Sequence, residues 1–169
     1  MGGRRKRHSP NWGGARPGAG RKPKGERALV SHKARQRFAS RTALHLVLRL
    51  VARAQLASAR VRGALVEALR EGRERHGLRV IAFGRRGDQL HLLVEADGNP
   101  SLSRGMQGLS IRIAKRINRA IGSRGTMFTD HFEAFVLRTP EELRAARSPI
   151  RWEQPRGVIS EPRLRLLRG

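Results

Sequence analysis

The sequence has no cysteine and no tyrosine, and aromatic residues make up only 4% of its 169 residues. Without cysteine there is no disulfide framework, no zinc-thiolate site and no cysteine nucleophile. No apolar run approaches the length of about 20 residues that spans a bilayer. No apolar signal core follows the basic N-terminus. These absences predict a single-domain cytoplasmic protein that is neither exported nor embedded in a membrane.

Acidic residues are also scarce. There are 13 Asp and Glu against 37 Lys and Arg, which gives a formal net charge of +24 and a pI of about 12.0. A charge this large on so short a chain repels itself unless a polyanion neutralises it. Nucleic acid is the favoured partner, because basic side chains that neutralise phosphates release counterions. A membrane surface is the weaker alternative.

Residues 1–30 are predicted to form a disordered, basic, DNA-binding arm, because their Gly-, Pro- and Arg-rich sequence cannot build a core. The stretch "RPGAGRKPKG" resembles an AT-hook, which lays arginine into a narrow minor groove. Lys22 stands where the hook has proline, and a generic basic tail that binds any phosphate backbone is the alternative. The arm cations predicted to contact DNA are Arg4, Arg5, Lys6, Arg7, Arg16, Arg21, Lys22 and Lys24.

Residues 41–147 are predicted to form the folded domain. Strict alternation indicates a strand over Ala43–Leu50, and apolar spacings of three and four indicate helices on either side of two further strands. The predicted order is strand Ala43–Leu50, a helix through Val61 and Leu69 that stops near Gly77, strands Leu78–Phe83 and Gln89–Ala96, helix Ser101–Ile121, and strand His131–Arg138.

This order is the ferredoxin-like βαββαβ pattern, an α+β fold with one antiparallel sheet and two helices on one face. The leucine faces of the strands then meet the helices. In this topology the first and third strands are neighbours, so His45 is predicted to lie near His91 on the opposite, open face of the sheet.

The third strand, "GDQLHLLVEA", places an unusual set of side chains on that open face. Gln89, His91 and Glu95 share it, whereas Leu90 and the other alternate residues form a core face. From the residues alone, Gln89 and His91 are interpreted as part of an exposed polar strand face, with a metal site as the alternative. No residue of this strand is aromatic, which argues against an RNA-recognition domain of the same topology.

Two further groups of cations are predicted to contact DNA phosphates. They are Arg85 and Arg86 at a hairpin turn, and Arg112, Lys115, Arg116 and Arg119 along the second helix. The alternative for the helix is an ordinary solvated face. Glutamates of the first helix alternate with arginines and are interpreted as surface pairs within that helix.

The end of the chain carries a helix start signal. Thr139, Pro140 and Glu142 match a capping box with proline at the first helical position, and Pro149 ends the helix. Residues 148–169 are predicted to be an irregular tail.

The segments "GGARPGAGRKPKG", "GDQLHLLVEA" and "SLSRGMQGLSIRIAKRINRAIGSRGTMFTDHFEAFVLRTPEEL" resemble the single-tyrosine HUH transposases, in particular the REP-associated and insertion-sequence-200-like branches. The likeness covers residues 12–145. It implies a ferredoxin-like fold, a divalent Mg or Mn ion held by two histidines of one strand, and a tyrosine that attacks single-stranded or hairpin DNA. It also implies a possible homodimer.

The sequence departs from this family where the chemistry occurs. The first histidine of the motif is Gln89, the second is His91, and there is no tyrosine. A glutamine oxygen can bind a hard ion, and His45 and Glu95 could assist. The resemblance therefore predicts a DNA-binding protein of transposase ancestry with degenerate catalytic residues. The alternatives are an active metal-dependent transposase, a basic nucleic-acid-binding regulator, and a remnant with no selected role.

Overall fold

The computed structural model of the chain describes residues 36–38, 40–147, 150 and 152–153. A short 3₁₀ turn, Ala52–Ala54, follows the first strand. The other elements, in chain order, are β1 (Thr42–Arg49), α1 (Ala59–Glu71), β2 (Glu74–Arg75), β3 (Leu78–Arg86), β4 (Gln89–Ala96), α2 (Asn99–Ile121), β5 (Glu133–Leu137), α3 (Pro140–Arg147) and β6 (Trp152–Glu153).

The strands form one antiparallel sheet in the order β2-β3-β4-β1-β5, with β6 added beside β3. The four long strands and the two long helices follow the ferredoxin-like order, which confirms the predicted fold class. Alternate residues of β1 and β4 are buried beneath α1 and α2, because period-2 strands and helices with apolar spacings of three and four place their apolar residues on facing surfaces.

The contact between α2 and the sheet depends on a glycine. A Cβ atom at Gly105 would overlap the Cβ of Leu78 and lie 2.7 Å from its Cδ2. Gly108 lies one turn further along α2, and a Cβ there would meet nothing within 4 Å. The helix therefore approaches β3 closely at Gly105, where the side chain is absent.

We expect Gly105→Ala to lower the free energy of unfolding by about 1–3 kcal/mol, because the added methyl group overpacks the core. Gly108→Ala is the matched control and is expected to raise it by about 0.5–1 kcal/mol, since alanine is the better helix former. Urea denaturation of both variants checks this. Equal stability of the two would contradict the close approach.

A β-bulge interrupts β3. Val80 pairs with Val94, but the next pair joins Ala82 to Leu93, so that Ile81 is an extra residue. Beyond the bulge, Gly84 lies opposite His91 and Arg86 lies opposite Gln89. The bulge therefore changes which β3 residues face each side of the sheet.

The helix boundaries differ in part from the prediction. Helix α1 ends at Glu71, and Gly77 instead forms a turn between β2 and β3 with a positive φ of 73°. Helix α2 begins at Asn99 rather than Ser101. The amide of Asn99 donates to the Gln36 carbonyl and accepts from the Phe38 N–H, which holds the chain just before β1.

The capping box at α3 is confirmed. The Glu142 carboxylate accepts from the Thr139 N–H at 3.2 Å, and the Thr139 hydroxyl accepts from the Glu142 N–H at 3.1 Å. The helix ends at Arg147, before Pro149.

The second face of the sheet is not fully open, contrary to the prediction. Leu143 of α3 packs there in a small buried cluster with Ala43, Ile81, Ala82, Leu93 and Leu137. Within the predicted irregular tail, Trp152–Glu153 form β6, which pairs with Phe83 and Gly84. The prediction missed this cover because α3 is short and Trp152 is an isolated apolar residue. None of the helices that the structure describes is long and apolar enough to cross a membrane.

Candidate nucleic-acid interface

Two histidines meet on the second face of the sheet. In the β1–β4 register His91 lies opposite Val47 and Leu93 lies opposite His45, so the histidines are diagonal neighbours. The Nε2 atom of His45 lies 3.0 Å from the Nδ1 atom of His91, and the two rings stack with centroids 5.2 Å apart. The predicted proximity of the two histidines is confirmed.

The environment of this pair keeps both rings neutral. Burial, the nearby His45 ring and the Arg86 charge lower the pKa of His91 to about 4. Burial also lowers the pKa of His45, which contacts the rings of Phe135 and Trp152. At neutral pH one ring therefore donates to the other. The Nε2 atom of His91 is buried and has no hydrogen-bond partner among the described residues.

Gln89 lies between two arginines. It pairs with Arg49 of β1 on one side and with Arg86 of β3 on the other. Residues directly opposite in an antiparallel sheet share a face, so the three side chains form one row, which we call the Arg–Gln–Arg row. The Nε atom of Arg49 is buried and has no hydrogen-bond partner in the part of the chain that the structure describes. No described carboxylate forms a salt bridge with Arg49 or Arg86.

Glu95 forms ion pairs with two arginines. Its side chain is 7% exposed, and its Oε2 atom lies 3.2 Å from Arg41 Nε and 3.6 Å from Arg79 Nη1. It lies four positions along the strand from His91, and its charge is paired with these two arginines. The carboxylate that is unusual in the sequence is thus one end of a buried ion-pair network.

These donors do not fit a Mg or Mn ion. Hard divalent cations prefer several oxygen ligands, and the described residues contain no group of three or more His, Asp or Glu that could hold a metal. Gln89 has an arginine on each side, and the partner of the His91 Nδ1 atom is His45. The two predicted metal ligands therefore lie on one face, but Gln89 is flanked by two cationic side chains.

The family model described as "Transposase IS200 like" matches residues 38–143. The chain belongs to the IS200-like transposase family. No curated protein matches the sequence. Among solved structures, the chain is similar to a REP-associated tyrosine transposase bound to a REP hairpin, with 17% identity, 68% of this chain and 67% of that chain covered, and a TM-score of 0.47. It is also similar to a protein described as a transposase from Deinococcus radiodurans R1, with 21% identity, 69% and 93% covered, and a TM-score of 0.49.

In this IS200-like chain the predicted cations of α2 have different surroundings. Arg116 forms ion pairs with Glu67, at 2.7 Å, and with Glu71. The Arg112 guanidinium lies beside Gly72 at the end of α1, where it would contact an added Cβ. Lys115 and Arg119 are exposed. Only part of the predicted α2 cation group therefore projects into solvent, because the glutamates assigned to pairs within α1 face α2.

The other predicted cations fall into two groups. Arg85 and Arg86 are exposed next to the β3–β4 turn. The eight cations of the arm lie outside the described residues. Arg49 belongs to neither group, and the sequence analysis missed it. The feature of the sequence that could have identified Arg49 is its position at the end of β1, on the face that also carries His45.

Proposed function

We propose that this member of the IS200-like transposase family binds single-stranded or hairpin DNA in the cytoplasm and does not cleave it by the metal-and-tyrosine route. One observation carries the proposal. The residue at the first histidine position is Gln89, set between two arginines, in a chain that also has no tyrosine. The family membership supports DNA as the partner, and the net charge of +24 supports phosphate binding.

The test uses the purified full chain and a labelled single-stranded hairpin DNA, with Mn, with Mg or with EDTA. Binding is read on a native gel, and cleavage or a covalent adduct on a denaturing gel. We expect a shifted band under all three conditions and no cleavage. Affinity is expected to fall by about 10³-fold or more between 50 and 200 mM salt, the behaviour of a protein that contacts six or more phosphates.

A covalent adduct that requires metal would contradict the proposal and would mean that another side chain replaces tyrosine. Affinity that does not change with salt would contradict phosphate binding. A duplex of the same length is the matched control. Equal affinity for the duplex and for the hairpin would mean that the chain binds DNA generally and does not prefer single strands or hairpins.

A further inference from the structure

We propose that the Arg–Gln–Arg row of Arg49, Gln89 and Arg86 binds one phosphate group of the DNA backbone, at the place where the family resemblance puts a metal ion. This inference rests on the proposed function, because it names the site through which the chain holds its ligand. The predicted ligand is an anion, whereas the family motif predicts a cation.

The geometry of the sheet brings the three side chains together. They lie on three adjacent strands in direct register and on one face. Neighbouring strands are about 4.8 Å apart, so Cα atoms of the two arginines are about 10 Å apart with Gln89 between them. Two long guanidinium side chains across this distance can converge on one phosphate, and the Gln89 amide offers further N–H donors between them.

The charges decide the sign of the ligand. Two guanidinium groups repel a divalent cation and form charge-assisted, bidentate hydrogen bonds with phosphate oxygens. No carboxylate among the described residues forms a salt bridge with either arginine. The buried Nε atom of Arg49 has no hydrogen-bond partner among the described residues. Because buried polar groups are almost always paired, this atom indicates a partner beyond the part of the chain that the structure describes.

The surroundings define one side of the site. The next row of the same face contains Glu133, Val47, His91 and Gly84, and Glu133 forms no salt bridge with either arginine of the Arg–Gln–Arg row. His91 is 6% exposed and neutral at pH 7, so it adds no charge, and its Nε2 atom is a second buried atom without a hydrogen-bond partner among the described residues. Towards the other end of the strands, Leu143 and its buried cluster cover the face. The row therefore lies at the end of the face that α3 leaves open.

The test compares two double variants of the full chain. Arg49→Gln with Arg86→Gln removes both charges of the row. Arg60→Gln with Arg70→Gln removes two charges from exposed positions of α1, on the other side of the sheet, and is the matched control. Two readouts are taken in EDTA, the affinity for the hairpin DNA and the rise in Tm that inorganic phosphate produces.

We expect the row variant to lose about ten- to a hundred-fold in DNA affinity and the control about three-fold or less, because direct contacts to charged groups contribute more than distant charges. The salt slope of the row variant should fall by about one phosphate equivalent. Phosphate should raise the Tm of the wild-type chain and of the control, but not that of the row variant.

The outcomes separate the two proposals. If the wild-type chain binds DNA and the row variant matches the control in both readouts, the inferred phosphate site is overturned and the proposed function stands. If the wild-type chain does not bind DNA, the proposed function fails, and a Tm shift that needs the row still supports an anion site. Should the double variant not fold, Arg86→Gln alone replaces it, because Arg86 is exposed at a turn. Binding of Mn to the wild-type chain that requires Gln89 would also overturn the inference.

Discussion

Lowering the pH from 6.5 to 4 is expected to reduce the free energy of unfolding by up to about 3 kcal/mol through His91 alone. The pKa of His91 is about 4 in the folded chain, below the ordinary value of 6.5. Between these values the unfolded chain binds more protons than the folded chain, so stability falls as pH falls. Each unit of pKa difference corresponds to about 1.4 kcal/mol. The lowered pKa of His45 acts in the same direction.

Urea denaturation at pH 7, 6, 5 and 4 measures this effect, and His91→Gln isolates it. In the His91→Gln variant the free energy of unfolding should decline much less between pH 6.5 and 4 than in the wild-type chain. In the exposed His131→Gln control it should decline as in the wild-type chain. Carboxylates contribute their own pH dependence, which both variants share with the wild-type chain. If the pH profile of His91→Gln followed that of the wild-type chain, the buried histidine pair would not be the cause.

Glu95→Gln is expected to lower the free energy of unfolding by about 2–4 kcal/mol. Breaking a buried ion pair leaves an uncompensated charge in a poorly solvated place, which costs more than the pair itself contributes. Here the group that loses an ion-pair partner at a poorly exposed position is mainly Arg79, whose side chain is 21% exposed, since Arg41 is 52% exposed and can turn to water. The expected loss is therefore below that of a fully buried pair.

Chemical denaturation at pH 7 measures the loss, with Glu141→Gln as the matched control. Glu141 pairs with Arg144 on α3, and both side chains are exposed by 70% or more. Exposed pairs of this kind contribute little to stability, so the control should be close to the wild-type chain. A Glu95→Gln variant as stable as the control would show that Glu95 has another role.

The sequence predicts the parts of this fold that depend on local pattern. The alternation in β1 and β4 and the stripe of α2 fix the faces of these elements, and the order of elements makes β1 and β4 neighbours. The approach of His45 to His91 follows from that order. The Thr139–Glu142 capping box is correct because its contacts span only three residues.

The sequence does not predict contacts that depend on how elements pack. Arg116 pairs with Glu67 and Glu71 across two helices, and the interhelical geometry that decides this is not a property of either helix. Placing Arg49 beside Gln89 requires the register of β1 against β4, which a pattern with period 2 leaves open by steps of two residues. The contacts by which α3 and Trp152 cover the second face also join distant parts of the sequence, and a local pattern does not predict them.

The extra residue Ile81 lets one strand serve two purposes. Arg79 and Arg86 are seven residues apart, and in a regular strand an odd separation would send them to opposite faces. The bulge shifts the alternation by one step, so Arg79 reaches Glu95 while Arg86 lies beside Gln89 on the same face. Without Ile81 the alternation would be regular. Either Arg79, the partner of Glu95, or Arg86, which belongs to the proposed anion site, would then face the other side of the sheet. The stability of the domain and the proposed binding of an anion are therefore linked through this single inserted residue.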